Sequence, residues 1–140
     1  MATIYRLEIV TPEGVFFSGD VEMTIVRTAE GDMGILADHE NTVAPLEIGT
    51  LKVIQDKKTR VAACTSGFLS VVPDEVTLVT DSAEWADEID VDRAQQALER
   101  ARERLANKGK DTDVQRAQLA MSRAMNRVRV ATKSMDHSNL

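Results

Sequence analysis

Alternating apolar and polar positions dominate the first eighty residues of the chain. YRLEIV alternates from Tyr5 to Ile9, and VEMTIV is expected to place Val21, Met23 and Ile25 on one side of a strand. Six similar segments follow, namely MGIL, TVAPL, TLKVIQ, RVAACT, FLSVV and VTLVT. Turn residues separate these segments, so the pattern predicts an antiparallel β-sandwich or barrel.

The pattern changes to a helical period after the segment DSAEWADEID. Asp90 is the expected N-cap of a first helix, because a side-chain oxygen there can accept from a backbone N–H of the first turn. Ala94, Leu98, Ala101 and Leu105 then recur at intervals of four and three residues, which is typical of one buried helix face.

A second helix is predicted after the loop NKGKD. Gly109 is the expected C-cap of the first helix, and Thr112 with Gln115 has the spacing of a capping box. Apolar residues then recur strictly at three and four, at Val114, Ala117, Met121, Ala124, Val128, Ala131 and Met135. The prediction is therefore an α+β chain in two segments: a β-sandwich over residues 1–86 and an antiparallel two-helix hairpin over residues 87–140.

Alanine is frequent along the predicted helix seam. At about 25 cal/mol per Å² of buried apolar surface, an alanine methyl stabilises the pair much less than a leucine side chain does. The hairpin is therefore expected to form but to be held modestly, as is common for elements that move.

Composition and charge exclude several classes of function. The 140 residues carry a formal net charge of -6, whereas general nucleic-acid binding needs a positive surface. No run approaches the ~20 apolar residues of a membrane-spanning helix. Two histidines and one cysteine predict no catalytic triad, and neither a calcium-loop nor a Walker glycine motif is present, so no catalytic residue and no metal site are expected.

Arginines form a row on each predicted helix. The positions share the spacing i, i+7 and i+11, at Arg93, Arg100 and Arg104 and again at Arg116, Arg123 and Arg127. Folding the hairpin about Gly109 brings Arg93 level with Arg123 and Arg127. Spacing alone leaves three interpretations open: a solvated charged face, a surface that docks on an acidic protein, and an anion site that uses bidentate guanidinium contacts.

Three segments carry a resemblance to a known family. LEIVTPEGVFFSGDVEMTIVRTAEGDMGIL and SGFLSVVPDEVTLVTDSAE, followed by a helical hairpin, resemble the epsilon-subunit family of bacterial F-type ATP synthases over nearly the whole chain. The resemblance implies a sandwich of about ten strands in the rotating central stalk. By the same resemblance, the sandwich is expected to contact the gamma subunit and the c-ring at the cytoplasmic face of the cell membrane. The subunit is expected to be non-catalytic and to belong to a proton- or sodium-translocating complex.

The resemblance also implies a nucleotide site in the hairpin. Residues 89–94, IDVDRA, match the family's ATP-binding motif Ile/Leu-Asp-x-x-Arg-Ala. By similarity, ATP is expected as a regulatory ligand, with or without Mg²⁺, at Glu84, Ile89, Asp90, Arg93, Ala94, Arg100, Arg123 and Arg127. In the family, ATP favours the folded hairpin, and the extended hairpin reaches the alpha and beta subunits and inhibits ATP hydrolysis.

An alternative and a second contact surface complete the expectations. The alternative is a regulatory subunit without a nucleotide site, whose basic helices only dock on acidic partner subunits. Glu30, Asp32 and His39 are expected to contact the c-ring, because the loop EGDMGIL matches the family. The following ADHENTV departs from the family's usual Pro-Gly before the histidine and Ala-Pro after it.

Overall fold

The computed structural model describes residues 4–107, 109 and 113–138. The chain divides into two compact units, Met1–Trp85 and Ala86–Leu140. The first unit is built of strands and the second of helices, which matches the change from period two to period 3.6 in the sequence.

The first unit contains ten strands joined by short turns. They are β1 (Tyr5–Thr11), β2 (Gly14–Val21), β3 (Met23–Thr28), β4 (Gly31–Ile35), β5 (Thr42–Leu46), β6 (Gly49–Gln55), β7 (Lys58–Cys64), β8 (Gly67–Val72), β9 (Glu75–Thr80) and β10 (Ala83–Trp85). This confirms the predicted sandwich of about ten strands. β2 and β10 were absent from the alternation pattern.

The strands form one continuous ladder in the order β10-β7-β6-β3-β5-β8-β9-β1-β2, with β4 paired to β3. Every pairing between the described strands is antiparallel except that of β1 with β9, which is parallel and runs from Arg6 opposite Glu75 to Val10 opposite Val79. This pairing joins the first strand of the chain to the ninth, so it connects the N-terminal part of the first unit's sequence to its C-terminal part.

Alternate residues of the strands fill the core of the first unit. Leu7, Ile9, Ile35 and Leu69 are completely buried, and Tyr5 is buried beside them. The alternation predicted for YRLEIV is confirmed, and the face shared by Tyr5, Leu7 and Ile9 is the buried one.

The prediction that Val21, Met23 and Ile25 lie on one side of a single strand was wrong. Val21 ends β2, and β3 begins at Met23, so the chain turns a corner at Glu22 and the alternation restarts. The buried residues of β3 are Thr24, Val26 and Thr28, whereas Met23 and Ile25 are only half-buried.

The second unit is a helical hairpin. A short 3-10 turn at Ala86–Glu88 leads into α1 (Val91–Ala106), and α2 spans Val114–Ser138. Asp90 caps α1 as predicted, because its Oδ1 accepts from the backbone N–H of Arg93 at 3.1 Å.

The caps between the two helices differ from the prediction. The C-cap of α1 is Asn107 rather than Gly109, because the N–H of Asn107 already closes the last turn on the carbonyl of Glu103 at 2.9 Å. Thr112 lies outside the described residues, and the N-terminal cap of α2 is supplied by Asp113, whose Oδ1 accepts from the N–H of Arg116 at 3.0 Å.

Small buried residues form the seam of the hairpin. α1 and α2 pack along each other, and the buried seam residues are Ala94, Leu98, Ala101, Ala117, Ala124 and Ala131. Met121 and Val128 are half-buried, and the side chain of Met135 lies outside the described part of the chain. The alanine-rich seam predicted from the periodicity is confirmed within these residues.

Candidate functional site: the arginine face of the hairpin

The predicted arginines lie on one side of the helix seam. Arg93, Arg100 and Arg123 each immediately precede a buried seam alanine, and Arg127 lies one turn beyond Arg123. One residue corresponds to about 100° around a helix axis, so side chains directly before the seam alanines of two antiparallel helices lie on the same side of the pair. We call this side, defined by Arg93, Arg100, Arg123 and Arg127, the arginine face.

The segment IDVDRA divides into a buried and an exposed half. Ile89 and Ala94 are buried, with Ala94 completely so, whereas Asp90 and Arg93 are exposed. The carboxylate of Asp90 holds the first turn of α1 through the N–H of Arg93. In this conformation the buried half packs the start of the helix, and the exposed half presents charged groups to solvent.

The second helix is entirely free of acidic residues from Val114 to Lys133, a stretch that contains five cations. They are Arg116, Arg123, Arg127, Arg129 and Lys133. A multiply charged anion would reduce the mutual repulsion of those on one face.

Glu84 belongs to the first unit and lies in β10 opposite Ala63 of β7. It is half-buried, and the next residue, Trp85, is firmly packed. The Trp85 ring stacks on Phe16 with centroids 4.6 Å apart and carries the guanidinium carbon of Arg60 at 3.7 Å from its centroid. This packing assigns Trp85 to the core of the sandwich.

The three expected c-ring contacts lie on two separate turns. Glu30 and Asp32 belong to the β3–β4 hairpin, where Asp32 pairs with Arg27 Nη1 at 3.2 Å. His39 follows β4, and its Nδ1 lies 2.8 Å from the carbonyl oxygen of Glu40. Glu30 and Asp32 are exposed and share one hairpin, whereas His39 is half-buried in the next loop.

The outer face of the sandwich carries a feature that the sequence analysis missed. Five apolar residues on adjacent strands are direct cross-strand neighbours in the order Pro45, Phe68, Val79, Val10 and Val15. Phe68 is 62% exposed, Val79 47% and Val15 61%. We call these five residues the apolar row. The available signal was that FLSVV carries apolar residues on both faces of its strand, with Phe68 and Val72 on one face and Leu69 and Val71 on the other. Only the order of the strands brings Phe68 next to the other residues of the row.

The described residues contain no cluster of three or more histidine, cysteine, aspartate or glutamate side chains suited to a metal ion. Burial raises the pKa of the Cys64 thiol to about 12. Neither helix, over its described residues, has the length and apolar character needed to cross a bilayer.

Comparisons with known proteins agree with the division into a strand unit and a helical unit. Residues 4–86 match the family model of the ATP synthase delta/epsilon chain β-sandwich domain, and residues 87–132 match the long α-helix domain of the same chain. The chain therefore belongs to the ATP synthase delta/epsilon family.

Individual relatives indicate which type of subunit the chain is within this family. The chain is 47% identical to the ATP synthase epsilon chain of Alkaliphilus oremlandii over 76% of its own length and 79% of the relative's. It is 41% identical to the sodium-ion-specific epsilon chain of Acetobacterium woodii, over 80% and 85% of the two lengths. Within the family it is thus an epsilon-type, non-catalytic subunit of the central stalk.

A solved structure shows the same architecture. A chain of the Euglena gracilis mitochondrial ATP synthase, in a structure of its OSCP, F1 and c-ring, superimposes with a TM-score of 0.78 at 29% identity. The match covers 90% of this chain and 79% of that one.

Proposed function

We propose that the chain couples the gamma subunit to the c-ring and regulates the enzyme through its hairpin. The family supports a place in the central stalk, and the related Euglena chain comes from a structure that contains a c-ring. In this role the subunit is peripheral, at the cytoplasmic face of the cell membrane, in a complex that moves protons or sodium ions.

The apolar row carries the proposal for the gamma subunit. Exposed apolar residues scattered singly are ordinary on a protein surface, whereas a contiguous row across five strands is typical of a protein interface. The loops with Glu30, Asp32 and His39 are proposed to meet the polar surface of the c-ring.

Copurification tests this assignment. Phe68→Ser with Val79→Ser should abolish recovery of the subunit with the gamma subunit, because both exposed side chains lose their apolar contact. Leu119→Ser removes a similarly exposed apolar residue from α2 and should copurify normally. Retention of the Phe68/Val79 variant by the gamma subunit would exclude the apolar row as the interface.

The arginine face carries the proposal for nucleotide binding. Arg93, Arg100, Arg123 and Arg127 are proposed to meet the phosphates of ATP, with or without Mg²⁺, and Glu84, Ile89, Asp90 and Ala94 to surround the adenine. A ligand that binds only the folded hairpin stabilises it by about 2.7 kcal/mol at a hundredfold excess over Kd. That amount is sufficient to decide the conformation of a modestly held hairpin.

Calorimetric titration with millimolar ATP tests the nucleotide site. Arg123→Ala with Arg127→Ala should remove most of the binding heat. The matched control, Arg129→Ala with Lys133→Ala, removes two cations from the same helix on another side and should bind ATP normally. Equal loss of binding in both variants would indicate general charge attraction rather than a site.

We further propose that the extended hairpin contacts the alpha and beta subunits and inhibits ATP hydrolysis. In assembled enzyme, deletion of residues 87–140 should raise hydrolysis at low ATP and have little effect at high ATP. The alternative is a regulator whose basic helices only dock on acidic partners. It is favoured by the absence of acidic residues between Val114 and Lys133, and it predicts inhibition that is the same at every ATP concentration.

A further inference from the structure

Strand β2 contains a β-bulge at Phe16. Ile9 of β1 pairs with Phe17 and the next residue, Val10, pairs with Val15, so Phe16 has no residue opposite it. A bulge inserts one extra residue into a strand, bends that strand and redirects a side chain, and bulges are common beside functional sites. The bulge in β2 therefore fixes the orientations of Val15 and Phe16 together.

The bulged residue contacts the last residue of the first unit. The ring of Phe16 stacks on Trp85 with an interplanar angle of 28°, and Phe17 meets the same indole edge-on with centroids 6.1 Å apart. With Arg60 over the ring as well, Trp85 is only 7% exposed. β2 and β10 are the two end strands of the ladder, so these side chains hold one end strand to the other.

The bulge is also continuous with the apolar row. Val15 directly precedes Phe16, belongs to the row and is largely exposed. Loss of the bulge requires part of β2 to shift by one residue against β1, which turns its side chains to the other face of the sheet. A partner seated on Val15 opposes that shift, and so does the stack of Phe16 on Trp85. Both contacts therefore favour the same backbone conformation of β2.

The residue that follows Trp85 begins the hairpin unit. Ala86 is the first residue of the 3-10 turn, it is buried, and the turn contacts α2. Consecutive Cα atoms are fixed about 3.8 Å apart, so a displacement of Trp85 displaces Ala86 as well. The contact between the turn and α2 is thus sensitive to the position of Trp85.

We propose that the Phe16 bulge couples the apolar row to the hairpin, so that the gamma subunit on the row and the folded hairpin stabilise each other. The inference rests on the proposed function for the identity of this partner. A partner shifts a conformational equilibrium only if it binds one conformation more tightly, and such coupling is reciprocal. Phe16 acts here as a positioning residue, because its effect on the hairpin passes through Trp85.

The test uses the full chain and purified gamma subunit, without nucleotide. Amide exchange read by mass spectrometry should show that saturating gamma subunit raises protection in α1 and α2 by about fivefold or more. Since no ATP is present, the result does not depend on the nucleotide site. Affinity for the gamma subunit is measured separately by calorimetry.

Variants at the bulge assign this gain to the proposed route. Phe16→Leu keeps an apolar side chain but removes the stacked ring, and deletion of Phe16 leaves Val15 and Phe17 as consecutive residues that can pair regularly with Val10 and Ile9. Both variants should bind the gamma subunit and lose the gain in protection. Phe16→Tyr should restore it. Phe17→Leu, the matched control, removes a ring from a regularly paired position and should retain most of the gain.

Each contrary outcome has a separate meaning. A gamma subunit that binds the unaltered chain without changing hairpin exchange would overturn the coupling and leave the interface intact. A gain preserved in Phe16→Leu would also overturn it, because the gamma subunit would then act on the hairpin by another route. Equal loss in Phe16→Leu and Phe17→Leu would reduce the bulge to general core packing. Failure of the gamma subunit to bind the unaltered chain would instead refute the proposed function, and the inference with it.

Discussion

The hydroxyl of Tyr5 lies 2.6 Å from Thr24 Oγ1 and links β1 to β3 inside the core. Tyr5 also donates to the carbonyl oxygen of Ile35 at 2.9 Å, so Thr24 is the donor in the first bond. Thr24 is completely buried, and this contact explains how a polar residue occupies an inward position of β3.

Tyr5→Phe should lower the free energy of unfolding by about 1–2 kcal/mol, because it leaves the buried hydroxyl of Thr24 without its acceptor. Urea denaturation measures the change. Thr24→Val serves as the partner variant, and the double variant should cost less than the sum of the two single ones. Simple additivity would show that the two hydroxyls are not coupled.

Alkaline pH should destabilise the sandwich. Burial raises the pKa of Tyr5 to about 12, an effect that the hydrogen bond from Thr24 partly offsets. The unfolded chain then loses the Tyr5 proton near pH 10 while the folded chain retains it, so stability is complete below pH 10 and falls from there toward pH 12. Burial also raises the pKa of the Cys64 thiol, so this group contributes a loss of stability of the same sign that begins at about pH 9.

Urea denaturation between pH 8 and pH 12 separates the two groups. Cys64→Ala should flatten the decline that begins near pH 9, and Tyr5→Phe should flatten the part above pH 10. A decline unchanged in the double variant would assign the alkaline loss to other groups.

Gly67→Ala should be severely destabilising. A Cβ atom at Gly67 would overlap the carbonyl oxygen of Val79 and lie 2.7 Å from the Cα of Thr80. Both atoms belong to the backbone of β9, so the strands must separate, at an expected cost of about 3 kcal/mol or more. Thermal denaturation measures the loss, and Ser70→Ala on the same strand should change stability little. A Gly67→Ala variant as stable as that control would contradict the close approach.

Asp90 has a structural role that can be separated from its proposed role in binding. Asp90→Ala should lower helix stability by about 1 kcal/mol, because the N–H of Arg93 loses its acceptor. Asp90→Ser retains a capping oxygen and removes only the carboxylate. Normal stability with altered ATP affinity in Asp90→Ser would assign the carboxylate to the ligand, whereas full retention of ATP binding would limit Asp90 to the cap.

The hairpin should open more readily than the sandwich. Its seam contains five alanines, whereas β1 and β9 bury leucine, isoleucine and valine. Native-state amide exchange should therefore show lower protection in α1 and α2 than in β1 and β9, and ATP should raise protection in the helices alone. Equal protection throughout would contradict a modestly held hairpin.

Much of the architecture is predictable because it depends on local periodicity. The helix seam and eight of the ten strands follow from it, and so does the cap at Asp90. β2 escaped the pattern because it carries adjacent Phe16 and Phe17, with few fully buried positions. β10 has only three residues and is defined by its pairing with β7.

Other features depend on contacts between distant residues. The inward threonines of β3 are tolerated because Tyr5 and the carbonyl oxygen of Gly31 satisfy their hydroxyls. The apolar row requires the order of five strands. The arginine face was visible beforehand because all of its members follow helical spacing, although its ligand came from the family resemblance.

The parallel pairing of β1 with β9 has a consequence for biosynthesis. The partner of Arg6 lies about seventy residues further along the chain, so this long-range ladder closes late and at a high entropic cost. On the ribosome, the β1–β2 hairpin waits with one uncovered edge until Thr80 has emerged. A nascent chain stalled before β9 is therefore expected to engage chaperones or other open strand edges, and a chain released beyond Thr80 is expected to close the sandwich on its own.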